Sequence, residues 1–254
     1  PYTTLFRSLT RTGHTEWTIT AWEYVEDEAT GRRFSPHHKF AADKATLQAS
    51  ATTGTVTLTA REAKAGAALK LFQDGHVGGR FRIGDKEVEI ASVTSAPAST
   101  ATATVIEALA DTNETADFSE EAFSLVRGWP GTVCFHQDRT VIGGSRDLPN
   151  RLWMSKSADL FNFDLGQADD DSAIELPVLS DQVNAVRAVV PGRHLQVYTS
   201  GAEWILEGDP ITPANVQLRP QTRHGTRIDR TVPPALVDGI SVFMGRQEIG
   251  RAHV

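Results

Sequence analysis

The chain is 254 residues long, 40% hydrophobic and 22% charged, which is the make-up of an ordinary globular protein with room for one large domain or two smaller ones. Its formal net charge of −7 excludes the basic footprint that a nucleic-acid-binding surface needs, and no apolar run approaches the ~20 residues of a membrane helix. A single cysteine, Cys134, excludes an internal disulfide framework and a thiol-based metal site.

At the two ends, Pro1-Tyr-Thr-Thr-Leu-Phe-Arg-Ser8 back-translates as CCC TAC ACG ACG CTC TTC CGA TCT, and Ile249-Gly-Arg-Ala-His-Val254 as ATC GGA AGA GCA CAC GTC. These strings resemble the two opposite adapters of a widely used sequencing kit. Residues 1–8 and 249–254 are therefore expected to be translated adapter on a metagenomic fragment, and are set aside from fold reasoning. Without Arg7 and Arg251 the charge falls from −7 to about −9. The expectation is that Leu9 to Gln247 is the informative sequence and that the parent protein continues past both ends.

In Leu9 to Pro36, the segment Thr15-Glu-Trp-Thr-Ile-Thr-Ala-Trp22 alternates apolar and polar residues and reads as a strand. Glu26-Asp-Glu28 with Gly31 reads as a turn. From Phe40 to about Glu114 the chain turns rich in Ala and Thr and has no Trp or Tyr. Within it Thr55-Val-Thr-Leu-Thr59 and Thr102-Ala-Thr-Val-Ile106 alternate as strands, and Ala60 to Lys70 reads as a short helix or turn. Arg80-Phe-Arg-Ile83 and Lys86-Glu-Val-Glu-Ile90 flank Gly84-Asp85, a two-residue link that supplies the positive φ of a tight hairpin. Residues 40–115 thus form a small β insertion, expected to be barrel-like, and residues 9–39 a strand segment that belongs with residues 116–248.

Residues 116–248 are organised by a repeat. Gly131–Phe135, Thr140–Gly144 and Arg151–Ser155 form one set of strands. Val183–Val186, His194–Thr199 and Ala202–Leu206 form a second, and Pro234–Val237 with Ile240–Met244 begin a third. Trp153 and Trp204 lie 51 residues apart on equivalent strands and read as residues that pack one repeat on the next. A period near 50 built from short strands and Gly, Asp and Pro turns is the pattern of β-propeller blades. The fold class expected is all-β, a partial β-propeller of two to three blades with the small β-barrel-like domain inserted.

A family resemblance rests on the order of several motifs. They are Arg127-Gly-Trp-Pro130, Asp159-Leu-Phe-Asn-Phe-Asp164, Asp169-Asp-Asp-Ser-Ala-Ile174, Asp181-Gln-Val-Asn184, Thr199-Ser-Gly-Ala-Glu-Trp204 and Ile211-Thr-Pro-Ala-Asn215. This string resembles bacteriophage and prophage tail proteins of the tail-nozzle, or tail tubular protein B-like, group. Ser50–Thr59 and His76–Gly79 are similar to the small β insertion such proteins carry, which is often described as resembling the first catalytic cysteine half-domain of ubiquitin-activating enzymes. The resemblance implies a non-enzymatic virion subunit that assembles as a homo-oligomeric ring at the end of the tail. It implies other tail proteins as partners, DNA only in transit during ejection, no cofactor, and synthesis in the bacterial cytoplasm. Residues 40–115 contain no cysteine, so the insertion implies no ubiquitin-type chemistry.

Other candidate chemistry is confined to a few side chains. Cys134 shares a strand face with His136 and is either a thiol with a base in reach or, as free cysteines usually are, a small buried hydrophobe. Asp169, Asp170 and Asp171 offer oxygens to a hard cation but lack the spacing of a calcium loop, and a solvated turn is the plainer reading. Asp181 and Glu203 are a formal acid/base pair for glycoside cleavage, which keeps a propeller-type glycan-binding or glycan-cleaving tail protein as the alternative. Arg219, Arg223, Arg227 and Arg230 form the basic strip expected at a subunit interface.

Overall fold

A computed structural model describes residues 7–41, 43–180, 184–227, 232–238, 240–246 and 249–253. The protein is all-β: among the described residues its strands form five antiparallel sheets. Among the described residues the only helical element is the 3-10 turn Asp74–His76, and no helix is long and apolar enough to cross a membrane. The chain divides into two compact units, the first ending at Gly128 and the second beginning at Trp129.

The first unit opens with a hairpin of β1 (Arg7–Arg11) and β2 (Trp17–Ala21). Arg11 wraps its turn, donating to the carbonyl oxygens of Gly13 and His14 and lying over the Trp17 ring. The Glu26–Gly31 turn forms as its composition predicts. Asp27 accepts from the Ala29 N–H and the Thr30 hydroxyl, the side-chain-to-backbone bonding that makes Asp a turn residue, and Gly31 takes φ +74°.

The remaining strands of this unit are β3 (His37–His38), β4 (Ala45–Ala49), β5 (Thr55–Glu62), β6 (Arg80–Ile83), β7 (Lys86–Ser92), β8 (Thr100–Val105) and β9 (Phe118–Glu121). They make one seven-stranded sheet in the order β3-β9-β6-β7-β8-β5-β4. Period-two alternation puts Val56, Leu58, Ala101 and Ala103 into a core with Leu47, Phe72, Phe81, Val88 and Ile90. It pairs Thr57 with Thr102 and Thr55 with Thr104 on the other face, where β-branched hydroxyl residues suit a half-exposed pleat. The β6–β7 hairpin forms on Gly84-Asp85, with Gly84 at φ +63°. Ala60 to Lys70 forms no helix, because β5 runs on to Glu62 and the chain then turns.

Two features differ from the sequence reading. The insertion is an open sheet and not a barrel: β3 and β4 are its ends, and a single isolated bridge, Leu47 to Thr115, approaches closure. Its membership also runs past residues 40–115, because β3 and β9 join the same ladder.

The second unit is three successive antiparallel sheets. The first holds β10 (Thr132–His136), β11 (Arg139–Gly143), β12 (Arg151–Met154) and β13 (Ile174–Pro177) in sequence order. The second holds β14 (Val186–Val190), β15 (Leu195–Thr199), β16 (Glu203–Glu207) and β17 (Gln217–Thr222), and the third holds β18 (Ala235–Val237), β19 (Ile240–Met244) and β20 (Ile249–His253). The β10–β11 turn is Gln137-Asp138, both at positive φ (46° and 56°), which matches the twist of the flanking strands. The outermost strands of the first two sheets, β13 and β17, each contain a proline, Pro177 and Pro220.

Sheet stacks on sheet through alternate faces. Val141, Leu152 and Met154 of the first sheet share one buried cluster with Val189, Leu195, Val197, Trp204 and Leu206 of the second. The opposite face of the second sheet meets the third, with the Tyr198 and Phe243 ring centroids 5.1 Å apart. The first strands of neighbouring sheets also touch: the Val189 N–H donates to the Thr132 hydroxyl, 3.1 Å.

Candidate functional site

The densest chemistry in the first unit is a buried ionic network at the β6, β7 and β9 end of the sheet. Glu120 and Glu121, adjacent on β9, are both buried and face opposite ways. The Glu120 carboxylate accepts from His76 Nε2 at 3.0 Å and from Arg127 at 2.5 Å. His76 Nδ1 accepts the Gln73 N–H at 3.0 Å, so its proton sits on Nε2 and points at Glu120. Ser124 accepts from the N–H groups of Val126 and Arg127, a short turn that aims Arg127 at the carboxylate while its guanidinium lies 4.2 Å from the Phe40 ring centroid. Burial pushes the Glu120 carboxyl up, but the bonds from His76 and Arg127 more than offset it and hold it below the ordinary carboxylate range.

Glu121 accepts from the Ser35 hydroxyl (2.9 Å), Arg33 (3.4 Å) and the Arg80 N–H (3.3 Å). There burial prevails and raises the carboxyl above its ordinary value. Glu87, fully buried, accepts from Arg82 and from the Arg33 N–H, each at 2.9 Å. Tyr24 titrates far above its ordinary value, chiefly through burial and then through Glu121. His76 and Glu120 are each only 2% exposed, and the bonding atoms of the pair are taken by protein partners. The arrangement is suited to ordering the end of the unit.

In the second unit the corresponding anchor is Arg139, 1% exposed. Its guanidinium donates to the carbonyl oxygens of Ser155 (2.7 Å), Ser172 (2.7 Å) and Asp170 (2.9 Å). This explains the acidic triplet. Asp170 is held through its backbone, and the Asp171 carboxylate pairs with Lys156 Nζ at 2.9 Å. All three aspartates are exposed, and among the described residues no three His, Cys, Asp or Glu side chains converge as metal ligands.

Cys134 packs against the cluster between the first two sheets, and burial pushes its thiol up to about 12. A thiol so raised stays protonated and is a poor nucleophile at neutral pH. His136 is buried, which lowers its pKa. Glu203 is 2% exposed and accepts from the Thr222 hydroxyl and the His224 N–H; Asp181, its partner in the acid/base reading, lies outside the described residues. Trp153 and Trp204 are buried at matching places, each on the third strand of its sheet and one residue in from the last ladder pair.

The basic strip is dispersed. Arg219 on β17 pairs with Glu207 at 3.2 Å and donates to Gln217. Arg223 is exposed beyond the strand end. Arg227 lines a small cleft with Arg187, Thr226 and Met244, and Arg230 lies outside the described residues.

Sequence reasoning missed Glu120, Glu121, Glu87 and Arg139, because paired charges read as surface until their partners are placed. Compared with models of known protein families the chain matches none, and comparison with curated proteins returns no match.

Proposed function

We propose that the chain is part of a non-enzymatic structural subunit of a bacteriophage tail, of the tail-nozzle kind, whose second unit is a run of β-propeller blades. One observation carries the propeller half: successive antiparallel meanders stack face on face, with Trp153 and Trp204 at equivalent positions of consecutive sheets. One blade cannot bury both of its faces, and a neighbouring blade supplies the cover. The tail assignment rests on the motif order from Arg127-Gly-Trp-Pro130 to Ile211-Thr-Pro-Ala-Asn215.

On this reading the work is done by shape and assembly, and the buried ion pairs serve rigidity. The partners are copies of the same subunit in a ring and other tail proteins, with DNA passing through on ejection. The test is to express the complete gene and image the product by electron microscopy. Rings that bind a tail-tube protein are the expected outcome. A monomer with no affinity for the tail tube overturns the assignment.

A further inference from the structure

Arg187 differs from the other arginines in how it is held. It sits on β14 at a bulge: Val186 pairs with Thr199 and Ala188 with Tyr198, so Arg187 has no ladder partner of its own. An extra residue of this kind bends its strand and re-aims its side chain. The side chain here lines a small cleft between the second and third sheets. Its Nε is buried and has no hydrogen-bond partner. Among the described residues every other arginine that is not exposed has a partner. Arg33, Arg82 and Arg151 pair with carboxylates, for example, and Arg139 with carbonyl oxygens. A guanidinium group taken partly out of water without an acceptor costs free energy.

The rest of the cleft is fixed in place. Thr226 is hooked to the second sheet, its N–H and its hydroxyl both donating to the Thr199 carbonyl oxygen (2.9 and 3.0 Å), and it bridges to Gly245 beyond β19. Arg227 follows, its N–H donating to the Met244 carbonyl oxygen, and lines the same cleft. Val232, Pro234 and Met244 add an apolar wall, and among the described residues none that lines the cleft is acidic. Two guanidinium groups thus border one cleft in a chain whose net charge is −7.

We infer that this cleft binds an oxyanion, a carboxylate or phosphate group carried on an apolar body, with Arg187 as its principal partner. A guanidinium group presents parallel N–H donors that match two oxygens of such a group, and the buried Nε–H of Arg187 supplies one of them. Val232, Pro234 and Met244 lie against the apolar body. All of these residues fall between positions 187 and 244, so the site is held within one copy of the chain.

The test is isothermal titration calorimetry on the 254-residue chain at constant ionic strength, with chloride as the balancing anion. Phenyl phosphate, benzoate and a doubly blocked aspartyl-phenylalanine dipeptide stand for a phosphate ester, a free carboxylate and a carboxylate carried by a protein. At least one is expected to saturate at one site per chain, and the tightest identifies the source. Inorganic phosphate is expected to bind more weakly than phenyl phosphate, having no ring to set against the wall; equal affinity removes the apolar body from the assignment. Arg187→Gln is expected to weaken binding by at least about tenfold. Arg193→Gln, at an exposed arginine that does not line the cleft, leaves it unchanged. Circular dichroism shows that both variants keep their fold. The chain without ligand gives a second readout. Arg187→Met removes an unpaired charge from a desolvated place, so it is expected to raise the melting temperature in chloride and to abolish the further rise that a bound anion gives. No saturable binding by any of the three probes, a loss shared equally by Arg193→Gln, or a fall in melting temperature for Arg187→Met, as an arginine that only packs its stem would give, overturns the proposal.

Discussion

Arg139 shows how much one buried charge can hold in place. Its three carbonyl partners come from Ser155, the residue after β12, from Ser172, two residues before β13, and from Asp170 in the aspartate loop between them. Arg139→Met keeps the volume and removes every donor, leaving buried carbonyls unsatisfied, and is expected to cost on the order of 3 kcal/mol in urea denaturation. Glu120 and Glu121 are neighbours with opposite shifts, so their pH effects differ in sign. The depressed carboxyl of Glu120 contributes stability that is present above the ordinary carboxylate range and lost as pH falls through its folded value. The raised carboxyl of Glu121 contributes stability that is present below that range and lost as pH rises through its folded value. Glu120→Gln is therefore expected to flatten the acid limb of the first unit's stability curve and to lower stability at pH 7. Glu121→Gln keeps an acceptor for Ser35 and Arg33 and is expected to cost less at pH 7 than Glu120→Gln; melting temperatures across pH 3–8 check both. Cys134 is expected to resist iodoacetamide at pH 7.5 in the folded chain and to react fully in denaturant, as mass spectrometry reads directly.

At the scale of elements, the tightest constraint is the turn after β11. Gly144 sits at φ +70°, and a Cβ placed there would lie 2.4 Å from the Val186 carbonyl oxygen. Gly144→Ala meets both the left-handed backbone cost and a collision with the next sheet. It is expected to destabilise the second unit by at least ~2 kcal/mol, seen as a fall in melting temperature by calorimetry. The elements that sequence reveals are those whose signal is local. Gly84-Asp85 marks its hairpin, Asp27 and Gly31 their turn, and the Trp153–Trp204 period the first two sheets of the second unit. The fourth strands, Ile174–Pro177 and Gln217–Thr222, escape a sequence reading, because each follows a long loop and carries a proline. The open sheet resembles a barrel in sequence because strand alternation fixes which face is buried but not where a ladder ends. Nothing local marks Glu120 as buried, since its partner His76 lies 44 residues away in the sequence.

For the molecule as a whole, the first unit holds its own apolar core and its own ionic network, both confined to residues before Trp129. A polypeptide ending at Gly128 is accordingly expected to unfold in a single cooperative transition, checked by coincident fluorescence and circular dichroism melts. The prolines on β13 and β17 have a further consequence. The free edge of a sheet is a template on which another chain can lay down a strand, and unchecked edges lead to fibrous growth. Pro177 and Pro220 supply no N–H on those outer strands, so the two four-stranded sheets resist lengthening by hydrogen bonding at those edges. Replacing both prolines with threonine would reopen the edges, and the expected result is thioflavin-positive aggregation on mild heating at temperatures where the unsubstituted chain stays clear.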